Sequence, residues 1–267
     1  MAMRFCILGS GSSGNAALLH TEESRVLVDA GFSARKLEAL LVAAGETLGR
    51  IDAVFLTHEH GDHAAGIEGL KKFPHIRIFA NDATARAVQT GLGHRPDWQI
   101  FQTGSRFRFR DLDIESFAVP HDAQEPVGFR FSSGHEGDLL APRRSLAWLT
   151  DLGHAPQNVR EFIRECDVVV VEANHCSELL KADPRRPWSL KQRISGRHGH
   201  LSNEAARELL ADVASPRWRR IYLMHLSRDC NSPAAIELAL ADVRVSLRSC
   251  EFSIVGPGEG TPFYELS

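Results

Sequence analysis

The sequence predicts a single domain of the α/β class that spans residues 1–267. Apolar runs of strand length recur along the chain, as at residues 53–56 and 167–172, and they alternate with segments whose apolar residues have helical spacing. No linker-rich break, repeat or low-complexity segment separates them. A chain of 267 residues with ordinary apolar content is long enough to bury a sizeable core.

The first half of the chain predicts strands and helices in alternation. Ser33 can cap a helix whose apolar residues recur at helical spacing and which Gly45 would end. Two further helices are predicted over residues 64–72 and 82–90. The predicted strands are residues 4–8, 16–20, 26–28, 53–56 and 76–79.

The second half begins with a strictly alternating segment, residues 107–110, which is typical of a half-exposed strand. We expect Phe107 and Phe109 to belong to the core rather than to stack on bases. Ser232 followed by Pro233 predicts the start of the last clear helix. The further predicted strands are residues 114–119, 127–131, 146–149, 167–172 and 220–224.

The segment from Thr57 to His63 carries the strongest chemical signal, the pattern H-x-H-x-D-H. Alternate residues of an extended segment point the same way, so His58 and His60 can reach one metal together. Asp62 and His63 lie beyond a turn and can be redirected to a second metal. Imidazole and carboxylate are ligands that zinc, manganese and iron accept. The alternative, a polar surface turn, requires four such side chains to coincide.

Two metals need more ligands than this segment supplies. Three later strand-like runs end in suitable side chains. The first ends in His121 and Asp122, the second in Asp151, and the third in His225. The sequence therefore predicts a metal site built from several strand ends.

This order of motifs resembles the metallo-β-lactamase family, and the resemblance extends from residue 4 to about residue 255. The family implies a four-layer αββα sandwich and a dinuclear metal hydrolase. Softer motifs resemble the YycJ (WalJ) branch, which implies a 5′-to-3′ exodeoxyribonuclease. These motifs are residues 9–15, 28–31, 171–175, 199–204 and 225–227.

The resemblance also implies a role for each candidate ligand. Asp151 would bridge the two metals, and Asp29 would orient a ligand from outside the coordination sphere. The first metal would be held by His58, His60 and His121. The second metal would be held by Asp62, His63 and His225.

Charge and cysteine content bear on the partners and the cellular compartment of the protein. The net charge of −3 gives no global argument for nucleic acid or membrane. Five cysteines without a C-x-x-C pair favour reduced thiols in a cytosolic protein. The N-terminus lacks a signal-peptide pattern, and no apolar run has the length of a membrane span. We therefore expect a cytoplasmic protein with no membrane partner; the sequence does not indicate the oligomeric state.

Residues 177–200 are predicted to form a basic loop. Between residues 185 and 197 there are five basic residues, one Trp and no acid. The loop can be an electrostatic guide for phosphate beside the metals, or a solvated loop that packs Trp188 as an anchor. The Gly/Ser-rich residues 9–15 can likewise cradle an anion or form a tight turn without a ligand, but they lack the Lys of a P-loop.

Two divalent ions, zinc or manganese or alternatively iron, could activate a water at this site. We favour hydrolysis of phosphodiesters by a nuclease, with nucleic acid as substrate, because of the basic segment and the branch resemblance. A thioesterase or another small-molecule hydrolase is the alternative, which the near-neutral charge leaves open. A di-iron redox protein is a third hypothesis, but no flavin-binding extension is evident.

His200 is the candidate general acid. A departing alkoxide needs a proton, and the seven predicted ligands are committed to metal. His200 lies between the basic segment and a helix predicted to start near Asn203, whereas His175 and His198 are rivals. The alternative is a histidine that only caps or packs the loop. We predict Asp62, Asp151 and His200 as the catalytic residues.

Overall fold

The computed structural model describes residues 3–134 and 142–266, so the ends of the predicted domain and residues 135–141 lie outside the described residues. The strands are β1 (Met3–Gly9), β2 (Ala16–His20), β3 (Arg25–Val28), β4 (Ala53–Phe55), β5 (Arg77–Ala80), β6 (Asp97–Ile100), β7 (Arg106–Phe109), β8 (Leu112–Ala118), β9 (Val127–Ser133), β10 (Arg144–Leu149), β11 (Val168–Glu172), β12 (Arg220–Met224), β13 (Glu251–Ile254) and β14 (Tyr264–Leu266). The α-helices are α1 (Ala34–Ala43), α2 (Gly61–Ala64), α3 (Asp82–Gln89), α4 (Gln157–Arg164), α5 (Ser177–Ala182), α6 (Trp188–Ile194), α7 (Asn203–Val213), α8 (Pro233–Ala239) and α9 (Ala241–Ser246).

The strands form two sheets of seven strands each within the described ranges. The first has the order β14-β1-β2-β3-β4-β5-β6, and the second has the order β13-β12-β11-β10-β9-β8-β7. In both sheets an antiparallel portion continues into a parallel one, which comprises β3 to β6 in the first sheet and β10 to β13 in the second. Because ligands usually bind beyond the carboxyl ends of parallel strands, the loops that follow β4, β10 and β12 are the expected place for a site.

Three apolar clusters fix the order of the layers. One cluster lies between the sheets and includes Phe55, Phe129, Trp148 and Tyr222. A second packs the other face of the second sheet against α4, α7, α8 and α9. A third packs the other face of the first sheet against α1 and its neighbours. Three interfaces require four layers, so the predicted αββα sandwich is confirmed.

The core also bears out the prediction for the alternating segment. Phe109 is buried, and Phe107 packs against the cluster between the sheets. The ring of Phe107 stacks on that of Phe79, which belongs to the other sheet, with centroids 5.8 Å apart. These aromatic side chains therefore join the two sheets and are not available to bases.

The predicted helix over residues 64–72 is wrong in its bounds. The structure ends α2 at Ala64 and continues with a 3₁₀ segment, Ile67–Lys72. The cause lies at Gly66, whose N–H donates to the Ala30 carbonyl at 2.7 Å. A Cβ at Gly66 would lie 2.3 Å from the Phe32 carbonyl oxygen, so this close approach to the β3–α1 turn interrupts a regular helix.

Candidate metal centre

Loops at the ends of four strands bring the predicted ligands together. β4 and its neighbours run parallel, and β10, β11 and β12 run parallel, so their carboxyl ends meet at one side of each sheet. The side chains after β4 are His58, His60, Asp62 and His63, and those after β8, β10 and β12 are His121, Asp151 and His225. The alternative that this segment is only a polar surface turn is contradicted, because His58 and His63 are fully buried.

The backbone is strained at the ends of β3, β10 and β12. Asp29, Asp151 and His225 have φ values of 61°, 57° and 58°, which lie in the left-handed region. Non-glycine residues rarely adopt this conformation, although Asp and His tolerate it better than most. Such residues persist where surrounding contacts hold them, and they cluster at functional sites.

One group of candidate ligands consists of His58, His60 and His121. The ring centroids lie 4.6, 5.1 and 5.2 Å apart. One nitrogen of each ring lies within 4.8 Å of the other two, a spacing at which a single cation could contact all three. His121 Nδ1 lies 3.0 Å from the Gly199 carbonyl oxygen, so its Nε2 is the nitrogen left for a metal.

A second group consists of Asp62, His63 and His225. Asp62 Oδ2 lies 3.7 Å from His63 Nε2 and 3.6 Å from His225 Nε2. Asp151 lies between the two groups, because its Oδ2 is 3.1 Å from His63 Nε2 and its Oδ1 is 3.9 Å from His121 Nε2. The structure thus brings all seven predicted ligands into one cluster.

The buried nitrogens at the centre of the cluster fit a divalent cation. His58 Nε2 and His225 Nε2 are buried and have no hydrogen-bond partner among the described residues. An unpaired buried polar group is costly unless something satisfies it. Imidazole nitrogen together with carboxylate oxygen is a donor set suited to zinc, manganese or iron.

Burial and nearby charges favour the ligand forms of His58, His121 and Asp151. Burial lowers the pKa of His58 well below its usual range and also lowers that of His121. Burial opposes ionisation of Asp151, but the charges of His225 and His63 outweigh it and hold the pKa of Asp151 well below its usual range. His225 has a pKa raised to about 10, because nearby carboxylates outweigh its burial. The carboxylate charge that holds a proton on His225 would equally attract a metal cation.

Residues around the candidate ligands contact them through their side chains and backbone. Asp29 Oδ2 lies 2.8 Å from His63 Nδ1, and its Oδ1 accepts from the Thr57 N–H at 2.8 Å. The orienting role expected of Asp29 requires a contact of this kind. Asn15, from the Gly/Ser-rich segment, contacts His63 Nε2 at 3.0 Å with its side-chain amide, which donates to the Asp62 carbonyl at 3.3 Å. That segment therefore supports the site, a contribution that its sequence did not predict.

Glu172 also belongs to the candidate site, although the sequence assigns it no role. It is fully buried at the end of β11, and its Oε1 contacts both His200 and His225. Its Oε2 accepts from the N–H groups of Leu152 and Leu201, both at 3.2 Å. The four contacts tie the ends of β10, β11 and β12 to the segment that carries His200. The motif of residues 171–175 carries part of the branch resemblance, but a single acid at the end of an apolar run does not reveal these contacts.

His200 lies in the pocket beside this cluster, whereas its two rivals do not. The cavity has a volume of about 230 Å³ and is lined by His200 together with His60, His121, Asp151 and His225. His198 is exposed, and His175 is buried with a pKa lowered to about 4 by that burial. Burial also opposes protonation of His200, but the charge of Glu172 and its hydrogen bond outweigh burial and raise the pKa of His200.

The predicted basic loop is largely helical, because α5 and α6 occupy most of it. Trp188 is 66% exposed, so the hypothesis that it anchors the segment is wrong. Arg185 and Arg186 form ion pairs with Asp183 and Asp229, which offset their charge. The segment nevertheless forms one wall of the pocket through Arg186, Leu190, Arg193, Ile194, Gly199 and His200.

Comparison with protein families gives a match that includes every predicted ligand. A model described as a beta-lactamase superfamily domain matches residues 24–226 of the chain. A solved structure, the metallo-beta-lactamase fold protein YhfI from Bacillus subtilis, superposes with a TM-score of 0.69 at 17% identity. The superposition covers 98% of this chain and 100% of that chain, so the two share a fold.

Two curated relatives are similar over nearly their full length. The chain is 36% identical to a protein named exodeoxyribonuclease YycJ from Bacillus anthracis, over 91% of this chain and 89% of the relative. It is 34% identical to a protein named exodeoxyribonuclease WalJ from Streptococcus pneumoniae, over 100% of this chain and 99% of the relative.

Proposed function

Because this chain belongs to the β-lactamase superfamily, we propose that it is a metal-dependent hydrolase that cleaves phosphodiester bonds of DNA as an exodeoxyribonuclease. The observation that carries the proposal is the full-length similarity to two proteins named exodeoxyribonucleases. The predicted YycJ/WalJ branch is confirmed by the same similarity. The 5′-to-3′ direction, implied by the branch, is part of the proposal.

Seven side chains would hold two divalent ions, zinc or manganese. His58, His60 and His121 would bind the first ion; Asp62, His63 and His225 would bind the second; Asp151 would contact both. The clustering of these side chains and the unpaired nitrogens of His58 and His225 support the assignment. Such ions supply Lewis acidity and ease the deprotonation of a water.

His200 would hold the proton that the departing alkoxide needs. Glu172 accepts a hydrogen bond from its Nδ1, which leaves Nε2 as the ring nitrogen for the substrate. Glu172 also raises the pKa of His200 and so favours the protonated form at neutral pH. A positioned general acid of this kind contributes about 10²–10⁴-fold to the rate.

The cysteines, the helices and the charge at the pocket are consistent with DNA as substrate. All five cysteines are free thiols, which supports the cytoplasmic location expected from the sequence. Within the described residues no helix is both long and apolar enough to cross a membrane. Arg193, whose side chain is mostly exposed, brings a guanidinium to the wall of a pocket that would receive a phosphate.

A substrate panel tests the proposal. Purified chain is reconstituted with zinc or manganese and given duplex and single-stranded DNA labelled at the 5′ or the 3′ end, bis-p-nitrophenyl phosphate, and an acylglutathione thioester. We expect stepwise release of nucleotides from the 5′ end and weak cleavage of the aryl phosphodiester. Hydrolysis of the thioester without cleavage of any phosphodiester would instead support the small-molecule hydrolase.

A further inference from the structure

An ion pair joins two sides of the pocket. Arg193 lies on α6, and Asp122 follows β8; both line the cavity. Arg193 Nε donates to Asp122 Oδ2 at 2.5 Å. The other oxygen, Asp122 Oδ1, lies 3.3 Å from His121 Nε2, the nitrogen assigned above to a metal. A carboxylate of the chain itself therefore occupies the space between a guanidinium and the candidate metal centre.

Arg193 differs from the other basic residues of its segment. Arg186 also lines the pocket, but it is bonded to two carboxylates and is mostly buried. Lys191 donates to a backbone carbonyl and does not line the cavity. The Arg193 side chain is 64% exposed, and its contact with Asp122 engages the Nε. Since a guanidinium carries five N–H donors, Arg193 has donors that could bind a second anion.

The neighbours of Arg193 on α6 also line the cavity. Leu190, Arg193 and Ile194 have the i, i+3, i+4 spacing of one helix face, and all three line the pocket. Arg193 thus shares the lining of the cavity with two apolar side chains while most of its own side chain is exposed. The ion pair between Arg193 and Asp122 is partly exposed to solvent, and ion pairs of this kind contribute little stability. Replacing the Asp122 carboxylate with another anion therefore costs little.

From this geometry we propose that Arg193 binds the backbone phosphate adjacent to the scissile phosphate, and that this phosphate displaces the Asp122 carboxylate. The inference rests on the proposed function and adds a specificity determinant to it. A phosphate can accept two parallel hydrogen bonds from a guanidinium, which favours it over the single bond now formed. Substrates with two consecutive phosphodiesters should therefore bind better than substrates with one.

The test compares three substrates that differ in their number of phosphates. Bis-p-nitrophenyl phosphate and a deoxydinucleotide each contain one phosphodiester, whereas a deoxytrinucleotide contains two. KM is measured for the metal-loaded native chain, for Arg193→Ala and for Arg193→Lys. The control is Arg197→Ala, which removes an exposed cation of the same segment that does not line the cavity.

We expect the native chain to favour the trinucleotide and Arg193→Ala to lose that preference, with a rise of about tenfold in KM for the trinucleotide relative to the two smaller substrates. Arg193→Lys should retain part of the preference, since it keeps the charge but not the bidentate geometry. The dependence of log KM on log salt should fall by about 0.7–0.9 for Arg193→Ala, as expected for one lost phosphate contact, and not for Arg197→Ala.

A second variant separates phosphate binding from a merely structural ion pair. Asp122→Asn, assayed with saturating metal, removes the competing anion, so KM for the trinucleotide should fall. If the pair only holds α6 in place, Asp122→Asn and Arg193→Ala should both raise KM, and the proposal is wrong. An equal effect of Arg193→Ala on all three substrates would assign Arg193 to the scissile phosphate and would also overturn it. Absence of cleavage of all three by the native chain would contradict the proposed function itself.

Discussion

Glu172 Oε1 lies 2.7 Å from His200 Nδ1 and 2.6 Å from His225 Nδ1, so one buried carboxylate oxygen orients both the candidate acid and a candidate metal ligand. Each imidazole therefore has its Nδ1 engaged and its Nε2 directed elsewhere. The Nε2 of His225 lies 3.6 Å from Asp62 Oδ2. Contacts of this kind fix the ring orientation and the tautomer of a metal ligand.

His200→Ala should separate proton donation from metal binding. We expect both metals to remain and the cleavage of DNA to slow by about 10²–10⁴-fold, the range for a lost general acid. The deficit should shrink on bis-p-nitrophenyl phosphate, because p-nitrophenolate leaves without a proton. Rates on both substrates are compared with those of His198→Ala, which removes an exposed histidine nearby. Equal deficits on both substrates would show that His200 orients or binds and is not the acid.

Glu172→Gln should disturb both histidines at once. The amide keeps the shape of the side chain but loses the charge that holds the two imidazoles. We expect metal affinity to fall by about 10–100-fold, as for other residues that support a metal ligand. Isothermal titration with zinc gives the affinity, and Glu178→Gln, on the exposed face of α5, is the control. Unchanged metal affinity in Glu172→Gln would contradict a supporting role through His225.

The contrast between Asp62 and Glu172 explains how much of the site could be predicted. Asp62 lies in a dense local pattern of ligand-type side chains, which the sequence displays directly. Glu172 is a single acid at the end of an apolar run, and its partners lie 28 and 53 residues away in sequence, so only the fold reveals the contacts. The sequence does not reveal the ion pair between Arg193 and Asp122 for the same reason, because the two residues are 71 positions apart.

The strands also divide into those that the sequence predicts and those that it does not. The apolar runs that became β4, β10, β11 and β12 are buried on both faces, and the sequence predicted all of them. The edge strands β6, β13 and β14 are short and partly exposed, so they lack a continuous apolar run. Their pairing is determined by the neighbouring strand rather than by their own side chains.

Asp111 should make the stability of the fold depend on pH. Its Oδ1 accepts from the hydroxyl groups of Thr21 and Ser24, both at 2.7 Å, and so ties the β2–β3 turn of one sheet to the β7–β8 turn of the other. Burial opposes ionisation, but these hydrogen bonds outweigh it and lower the pKa of Asp111. Because the folded pKa lies below the unfolded value, this stability is present above the unfolded pKa of about 3.9 and is lost as pH falls through the folded pKa.

Asp111→Asn tests this pH dependence. At pH 7 the variant should be less stable than the native chain by about 1 kcal/mol, as expected for hydrogen bonds to a partly exposed charged group. The difference should narrow as the pH falls below about 4. Urea unfolding at several pH values measures it, with Asp97→Asn on the exposed edge strand β6 as the control. A difference that stays constant down to pH 2 would contradict the role of the charge.

Asp151→Asn should have the largest effect on the metal centre. The Asp151 carboxylate contacts His63 and lies within 4 Å of His121, one from each ligand group, so its loss should weaken binding of both ions. Asn tolerates the left-handed backbone at this position and preserves the shape of the side chain, so the variant should fold. Metal content after dialysis should fall below two per chain, and DNA cleavage should slow by about 10³-fold or more, because several kcal/mol of charge stabilisation are lost. Asp212→Asn, an exposed residue of α7, should change neither quantity. A metal-free melting temperature equal to that of the native chain would confirm that the fold is intact, and two bound metals with a native rate would contradict the shared role of Asp151.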